Sequence, residues 1–281
     1  MVGPDGEVER SVSSVKMVDE GSGPVIMLLH AFPCDHTMWD DQRQALVDAG
    51  WRVLTPDLPG FGRSGLPAIM DADPDLGSVV EMLVAAIMDR GVDRLVVAGL
   101  SVGGYLVMEW LRRYPEMLAG VALCDTKATA DSVEAQGNRR SLAQVIDDDP
   151  GACAAILKER VLPVIVGSTT HDSRPSIVAR VESWMDSADP AAVAWYQRAM
   201  ADRPDSVATL GAADVPALVL WGDEDSMSPP SEQQVMIDAL RDARSKEVPA
   251  SGHLSAIEAP EIVGAELVDF VTRVQRAGMS G

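Results

Sequence analysis

The chain has 281 residues, of which 47% are apolar and 23% are charged, a balance typical of a globular protein built around one large core. Its formal net charge of −20 excludes an extended basic surface for nucleic acid, because neutralising phosphates requires clustered Lys and Arg. The apolar runs are far shorter than the roughly 20 residues that a membrane helix needs. The sequence therefore predicts neither a nucleic-acid partner nor a membrane span.

Residues 1–16 mix Pro, Gly and charged side chains and contain no apolar stretch of the kind that a secretory signal requires. The three cysteines, Cys34, Cys124 and Cys153, are too few and too scattered for a disulfide framework and lack C-x-x-C spacing for zinc. We therefore expect a cytoplasmic protein with reduced thiols. The sequence leaves the oligomeric state open.

Apolar, β-branched runs recur along the chain and alternate with helical patterns. The runs occupy residues 25–29, 51–55, 94–98, 121–124, 217–221 and 245–248. Intervening segments such as 78–90 and 105–113 carry apolar residues at helical spacing. Since buried parallel strands need helices on both faces, the predicted fold class is α/β with a doubly wound, mostly parallel sheet.

The strand pattern stops within residues 126–205, where helical stretches follow one another and are separated by prolines. We predict that 126–205 is an inserted helical cap and that 1–125 and 206–281 together form the core domain. The cap carries bulky side chains that suit the roof of a substrate pocket, with core packing as the alternative for each. They are Trp184, Trp195, Tyr196 and Met200.

A glycine-flanked serine follows directly on the predicted strand at 94–98. The segment Gly99-Leu100-Ser101-Val102-Gly103 has G-x-S-x-G spacing and precedes a helical pattern. A sharp strand-to-helix turn exposes a serine hydroxyl at the sheet edge, and the flanking glycines allow close backbone approach. The helix N-terminus also favours developing negative charge. This context predicts that Ser101 is a nucleophile.

A serine hydroxyl needs a neighbouring base, and the chain has four histidines. His253 follows the last predicted strand, whereas His171 lies in the insertion and His36 precedes a helix. His30 ends a buried strand, where it is expected to anchor a loop through hydrogen bonds. His253 is therefore the predicted general base.

The base in turn needs a carboxylate that fixes its tautomer. Asp225 lies in the loop after the predicted strand at 217–221, which ends at the same sheet edge as Ser101. The resulting chain order is Ser, Asp, His, as expected for a nucleophile elbow of this kind. Asp223, in the same loop, and Asp125, at the end of another strand, remain alternatives.

Acyl transfer also requires donors for the oxyanion of the tetrahedral intermediate. They are supplied by the backbone N–H after the nucleophile and by one from the loop after an early strand. Val102 and Phe32 occupy those two places in the sequence.

Together these segments resemble the α/β-hydrolase family with a helical cap, from about residue 21 to residue 274. Residues 30–33 (HAFP) are similar to the family's H-G-x-P oxyanion loop, residues 57–64 (DLPGFGRS) to its D-x-x-G-x-G-x-S segment, and residues 222–229 to its G-x-x-D-x-x-x-P acid loop. The last match favours Asp225 over Asp223. The departure is Ala31 in place of the usual glycine, which would be strained at a positive φ.

The resemblance implies hydrolysis of a small carboxylic ester or lactone through an acyl-enzyme, with no cofactor and no metal. Other family activities are thioester and carbon–carbon cleavage and perhydrolysis. Dehalogenases and epoxide hydrolases of the family carry Asp where this chain has Ser101, so they fit less well. Two alternatives stay open: a ligand receptor with slow or single turnover, and a C–C hydrolase or lyase on the same scaffold.

The insertion is less acidic than the rest of the chain, with twelve acidic and nine basic residues. The global charge therefore does not exclude a small substrate that bears one carboxylate. Arginines of the insertion are able to pair with such a group, although each taken singly is expected on a solvated helix face. They are Arg139, Arg140, Arg174, Arg180 and Arg198.

Overall fold

The computed structural model describes residues 15–67, 70 and 72–278. Most of residues 1–16, for which the sequence predicts no secretory signal, lies outside the described residues. Within the described residues, seven strands form one sheet. They are β1 (Met17–Glu20), β2 (Val25–Leu29), β3 (Arg52–Pro56), β4 (Leu95–Leu100), β5 (Leu118–Cys124), β6 (Ala217–Gly222) and β7 (Ala243–Val248).

The sheet has the strand order β1-β3-β2-β4-β5-β6-β7, and every neighbouring pair is parallel except β1 and β3. The predicted α/β class with a mostly parallel sheet is therefore confirmed. β4, at the centre, is buried along its whole length, as expected for a strand covered on both faces. The antiparallel edge strand β1 was missed by the sequence analysis.

Helices of the core cover both faces of this sheet. α1 (Asp40–Asp48) packs against α13 (Pro260–Gly278) on one face, whereas α3 (Val102–Arg113) contacts α2 (Leu76–Met88) and α10 (Val207–Ala212) on the other. Two further core helices are α11 (Pro230–Ala239) and the short α12 (Ser255–Glu258). Among the described residues, each helix falls short of the length and apolarity needed to cross a bilayer.

Between β5 and β6 the described chain contains helices and no strand. Besides α10, the α-helices there are α4 (Val133–Asp148), α5 (Cys153–Arg160), α6 (Leu162–Ile165), α7 (Ser168–Ser173), α8 (Pro175–Ser187) and α9 (Pro190–Ala201). α4 and α9 pack along each other, and α8 contacts α5 and α7. All six lie within the predicted insertion.

The strand order reverses between β2 and β4, because the chain next after β2 pairs on its other side as β3. In open parallel sheets, ligands bind at the carboxyl ends of the strands beside such a reversal. Phe32 follows β2 and Ser101 follows β4, so the fold brings these two segments to that point.

Candidate active site

Ser101 occupies a strained turn between β4 and α3, with φ of 56° and ψ of −113°. Its N–H donates to the carbonyl of Cys124 at 2.9 Å, and its carbonyl accepts from the Thr126 hydroxyl at 2.9 Å. A Cβ on Gly99 would lie 2.2 Å from the backbone of Gly103, so only glycine fits there. The turn is held by hydrogen bonds on both sides, and it leaves the Ser101 side chain 9% exposed at the sheet edge.

The three candidate side chains form one hydrogen-bonded chain. His253 Nε2 lies 2.8 Å from Ser101 Oγ, and His253 Nδ1 lies 2.8 Å from Asp225 Oδ2. Since an ionised carboxylate only accepts, Nδ1 carries the proton and Nε2 is free to accept from the Ser101 hydroxyl. Ser101, Asp225 and His253 come from loops after β4, β6 and β7, whose carboxyl ends meet at one edge.

Asp225 is buried yet stays ionised. Burial opposes its charge, but the nearby His253 and the hydrogen bonds from His253 and Ser228 lower the pKa of Asp225 to about 2. Its Oδ1 accepts from the N–H groups of Met227 at 2.8 Å and Ser228 at 3.1 Å, and its Oδ2 also accepts from the Ser228 hydroxyl. The carboxylate therefore has a fixed orientation toward the imidazole. Ser228 was not singled out in the sequence.

The two alternative carboxylates do not face His253. Asp125 is fully buried and accepts from the Gly222 N–H at 2.9 Å and the Ser255 hydroxyl at 2.5 Å. Burial and the charge of Asp225 raise the pKa of Asp125 well above its ordinary value. Asp223 is exposed, and its Oδ1 accepts from the Ser251 N–H at 3.3 Å. Both stabilise the loops around the site without touching the imidazole.

The two predicted oxyanion donors border the same site. Phe32 lines the cavity above Ser101, and Val102 is the first residue of α3. Within the described part of the chain, neither N–H has a hydrogen-bond acceptor. Ala31 is not strained, because the described non-glycine residues with positive φ are Ser101, Asp125 and Ala250. The replacement of the family's glycine by alanine therefore causes no backbone conflict.

His30 is fully buried behind this loop. Its Nδ1 lies 2.8 Å from the carbonyl of Ala31, and its Nε2 accepts from the Leu58 N–H at 2.9 Å. Burial lowers the pKa of His30, so the ring is neutral and ties the loop after β2 to the loop after β3. This is the anchoring role expected from the sequence.

Asp57, in the segment similar to D-x-x-G-x-G-x-S, is likewise structural. It accepts from the N–H groups of His36 and Arg63, both at 3.0 Å, and pairs with His36 Nδ1 at 2.6 Å. Asp35, His36 and Asp57 offer oxygen and nitrogen atoms within 4.8 Å of one another. Because these groups are already joined to each other and to the loop backbone, we assign them no metal or cofactor.

A cavity of about 430 Å³ lies above Ser101, between the core and the inserted helices. The core contributes Phe32, Ser101, Tyr105, Met227 and His253. The inserted segment contributes residues from α4, from the α5–α6 region and from α9. Ser101 and His253 therefore face a cavity whose volume is in the range typical of small-molecule sites.

Trp184, Trp195 and Tyr196 were predicted to line the substrate pocket, but none of them lines this cavity. The Trp184 indole N–H lies 3.3 Å from Thr37 Oγ1 and so packs the insertion onto the core. Tyr196 is fully buried against Trp195 and Phe61, with ring centroids 5.1 Å apart in both pairs. These rings pack between the core and helices α8 and α9. Met200 of α9, in contrast, lines the cavity.

Helix α7 binds the loops that carry the acid and the base. The Thr169 N–H donates to Glu224 at 2.9 Å in the loop before Asp225. The Gly167 N–H at 2.9 Å and the Thr170 hydroxyl at 2.6 Å both donate to Glu258, which follows His253. We call this set of contacts the α7 clasp.

Two further groups complete the α7 clasp. Arg174 donates to the carbonyls of Ala250 at 3.0 Å and Glu258 at 2.8 Å. Glu258, 4% exposed, also accepts from the Leu254 N–H at 3.2 Å, directly beside His253. The inserted segment therefore fixes the loop that holds the imidazole. Glu258 and Arg174 are 84 positions apart, so no local sequence pattern indicates their contact.

The fold and the site together define an α/β protein in which a Ser-His-Asp arrangement faces a cavity at the carboxyl edge of a parallel sheet. The family model described as alpha/beta hydrolase fold matches residues 24–260. The chain belongs to the α/β-hydrolase fold family.

Several proteins of known description are similar to this chain over most of their length. A thermophilic esterase from Thermogutta terrifontis, solved with malate bound, is 35% identical with a TM-score of 0.86, covering 92% of this chain and 93% of that one. The enol-lactonase from Burkholderia xenovorans is 25% identical with a TM-score of 0.82, covering 92% and 96%. A non-heme haloperoxidase from Rhodococcus erythropolis is 26% identical over 262 residues, covering 90% and 94%.

Proposed function

We propose that the protein hydrolyses small carboxylic esters or lactones through an acyl-enzyme. The observation that carries this proposal is the hydrogen-bonded chain from Ser101 through His253 to Asp225, with 2.8 Å at each contact of the imidazole. The likeness to an esterase and an enol-lactonase supports the same reaction class. We further propose that residues 126–205 act as the cap that closes the site.

In this mechanism Ser101 Oγ attacks the carbonyl carbon while its proton passes to His253 Nε2. The N–H groups of Phe32 and Val102 receive the oxyanion. The bond to the leaving oxygen then breaks, and that oxygen takes the proton from His253. Water repeats the sequence on the acyl-enzyme, which releases the acid and restores Ser101. Asp225 remains ionised and stabilises the imidazolium.

The test is covalent labelling with a fluorophosphonate together with turnover of p-nitrophenyl acetate. Ser101→Ala should abolish labelling and lower kcat on the order of a million-fold, because the nucleophile is lost. Ser141→Ala is the matched control, since Ser141 lines the same cavity on α4. If the Ser101→Ala variant keeps more than a few per cent of activity, the nucleophile lies elsewhere.

The same experiment separates the alternatives. A receptor would react with the fluorophosphonate at Ser101, but it would hydrolyse an ester slowly or complete only a single turnover. A lyase using Ser101 and His253 for proton transfer alone would turn over its substrate without forming a serine adduct during the reaction.

A further inference from the structure

The lining of the cavity carries more basic than acidic side chains, although the whole chain carries a net charge of −20. Three cationic side chains line it: Lys127, Arg139 and Arg160. Asp131 is the acidic residue among the described residues of the lining. The local charge balance is therefore opposite in sign to that of the molecule.

Asp131 is already shared among several cations. Its carboxylate lies 3.0 Å from Lys127 Nζ, 2.6 Å from Arg139 Nε and 3.0 Å from Arg203 Nη1. Burial opposes ionisation of Asp131, but the charges of Arg139 and Arg203 lower its pKa to about 2. One ionised carboxylate therefore lies against three basic side chains, two of which line the cavity.

Arg160 adds a fourth positive charge at the mouth of the cavity. It is the last residue of α5 and is exposed. Within the described residues it has no hydrogen-bond or ion-pair partner. The other cations are fixed by Asp131, so Arg160 is the group with a free guanidinium for an incoming anion.

We propose that the substrate carries a carboxylate at the end away from the scissile bond, and that the basic residues of the lining bind it, chiefly through Arg160. The chemical class is a half-ester of a small dicarboxylic acid, or a lactone with a carboxylate substituent. This inference rests on the proposed ester and lactone hydrolysis. The carboxylate is the feature by which the site would select among such substrates.

The remaining face of the cavity fits this orientation. Phe32 and Met227 supply apolar surface from the core, whereas the charged residues lie on α4 and α5 and in the segment after β5. A substrate with one ester group and one anionic group would thus be oriented along the cavity. Charge-assisted hydrogen bonds to a guanidinium are among the strongest available for this purpose.

The test compares ethyl hydrogen succinate with ethyl butyrate, a neutral ester of similar length, by proton release. The wild-type enzyme should prefer the half-ester in kcat/KM. Arg160→Gln should lower kcat/KM for the half-ester about ten- to one-hundredfold, mainly by raising KM, and leave the neutral ester within about twofold. Arg140→Gln is the matched control on the neighbouring helix, where Arg140 pairs with exposed Asp202 outside the cavity lining.

Inhibition by succinate and by butyrate gives an independent readout. Succinate should inhibit hydrolysis of the neutral ester more strongly than butyrate, and added salt should weaken that difference. Equal use of both esters by the wild-type enzyme, or an equal loss for both in Arg160→Gln, overturns the inference while ester hydrolysis stands. If neither ester is turned over and no serine adduct forms, the proposed function fails, and calorimetric binding of succinate then decides the carboxylate site alone.

Discussion

Replacing Asp225 by Asn changes one atom and tests the hydrogen-bonded chain directly. In the native loop, Oδ1 accepts from the Met227 and Ser228 N–H groups, whereas Oδ2 faces His253 Nδ1 at 2.8 Å. In the Asp225→Asn variant the amide oxygen would keep the place with the two backbone donors. The amide NH₂ group would then point at Nδ1, which would have to accept. The proton would move to Nε2, where it prevents acceptance of the Ser101 proton.

The expected loss in kcat is about 10⁴-fold, or about 5 kcal/mol of transition-state stabilisation. Stability should change as well. Folding lowers the pKa of Asp225 from 3.8 to about 2, so its carboxylate stabilises the native state above pH 4 and loses that contribution as the pH falls through 2. The Asp225→Asn variant should therefore be about 2 kcal/mol less stable at pH 7, with the difference shrinking toward pH 2.

The assay pairs p-nitrophenyl acetate turnover with urea denaturation at several pH values. Asp223→Asn is the control, because Asp223 is an exposed residue of the same loop. It should keep its activity within a few-fold. Equal losses in the two variants, or a larger loss at Asp223, would refute the assignment of the acid.

Two more predictions concern the cavity and the α7 clasp. In a chain-length series of p-nitrophenyl esters, short acyl groups should be turned over well and long ones poorly, because the cavity offers only about 430 Å³. A kcat/KM maximum at lauroyl or longer chains would contradict this prediction. Glu258→Gln should lower kcat several-fold and the free energy of unfolding by about 2 kcal/mol, because Glu258 accepts hydrogen bonds from Gly167, Thr170 and Leu254. The control is Glu261→Gln, a substitution of an exposed residue. An unchanged urea midpoint in Glu258→Gln would rule out the clasp as a stabilising contact.

The strands β2 to β6 were predictable because each is a short, largely apolar run bounded by helical patterns. β1 was not, since Met17–Glu20 has two apolar residues followed by two acidic ones. Its strand conformation comes from antiparallel pairing with β3, which is a tertiary interaction. Local pattern alone therefore finds the buried centre of the sheet better than its edge.

Candidate site residues at strand ends were also predictable, because parallel strands deliver their carboxyl ends to one edge. The residues that line the cavity were not predictable from the sequence. Helical periodicity places Tyr196 and Met200 on one face of a helix but does not say whether that face meets the core or the cavity. Arg160 gave no signal, because an exposed arginine at a helix end is ordinary in sequence. Among the five arginines considered, Arg139 alone is among the described residues that line the cavity.

We expect the α7 clasp to restrict the path by which molecules reach and leave Ser101. Movement of α7 away from the core would break hydrogen bonds to Glu224 and Glu258 together, so we expect that side of the site to stay closed. Away from α7, exposed Asn138, Arg160 and Val164 border the cavity, and we expect its entrance there. Hydrolysis of a half-ester adds a second carboxylate to the product, which must then leave past the same cations. Departure of the dianion, and not bond cleavage, would then limit steady-state turnover, and a pre-steady-state burst would be its kinetic signature.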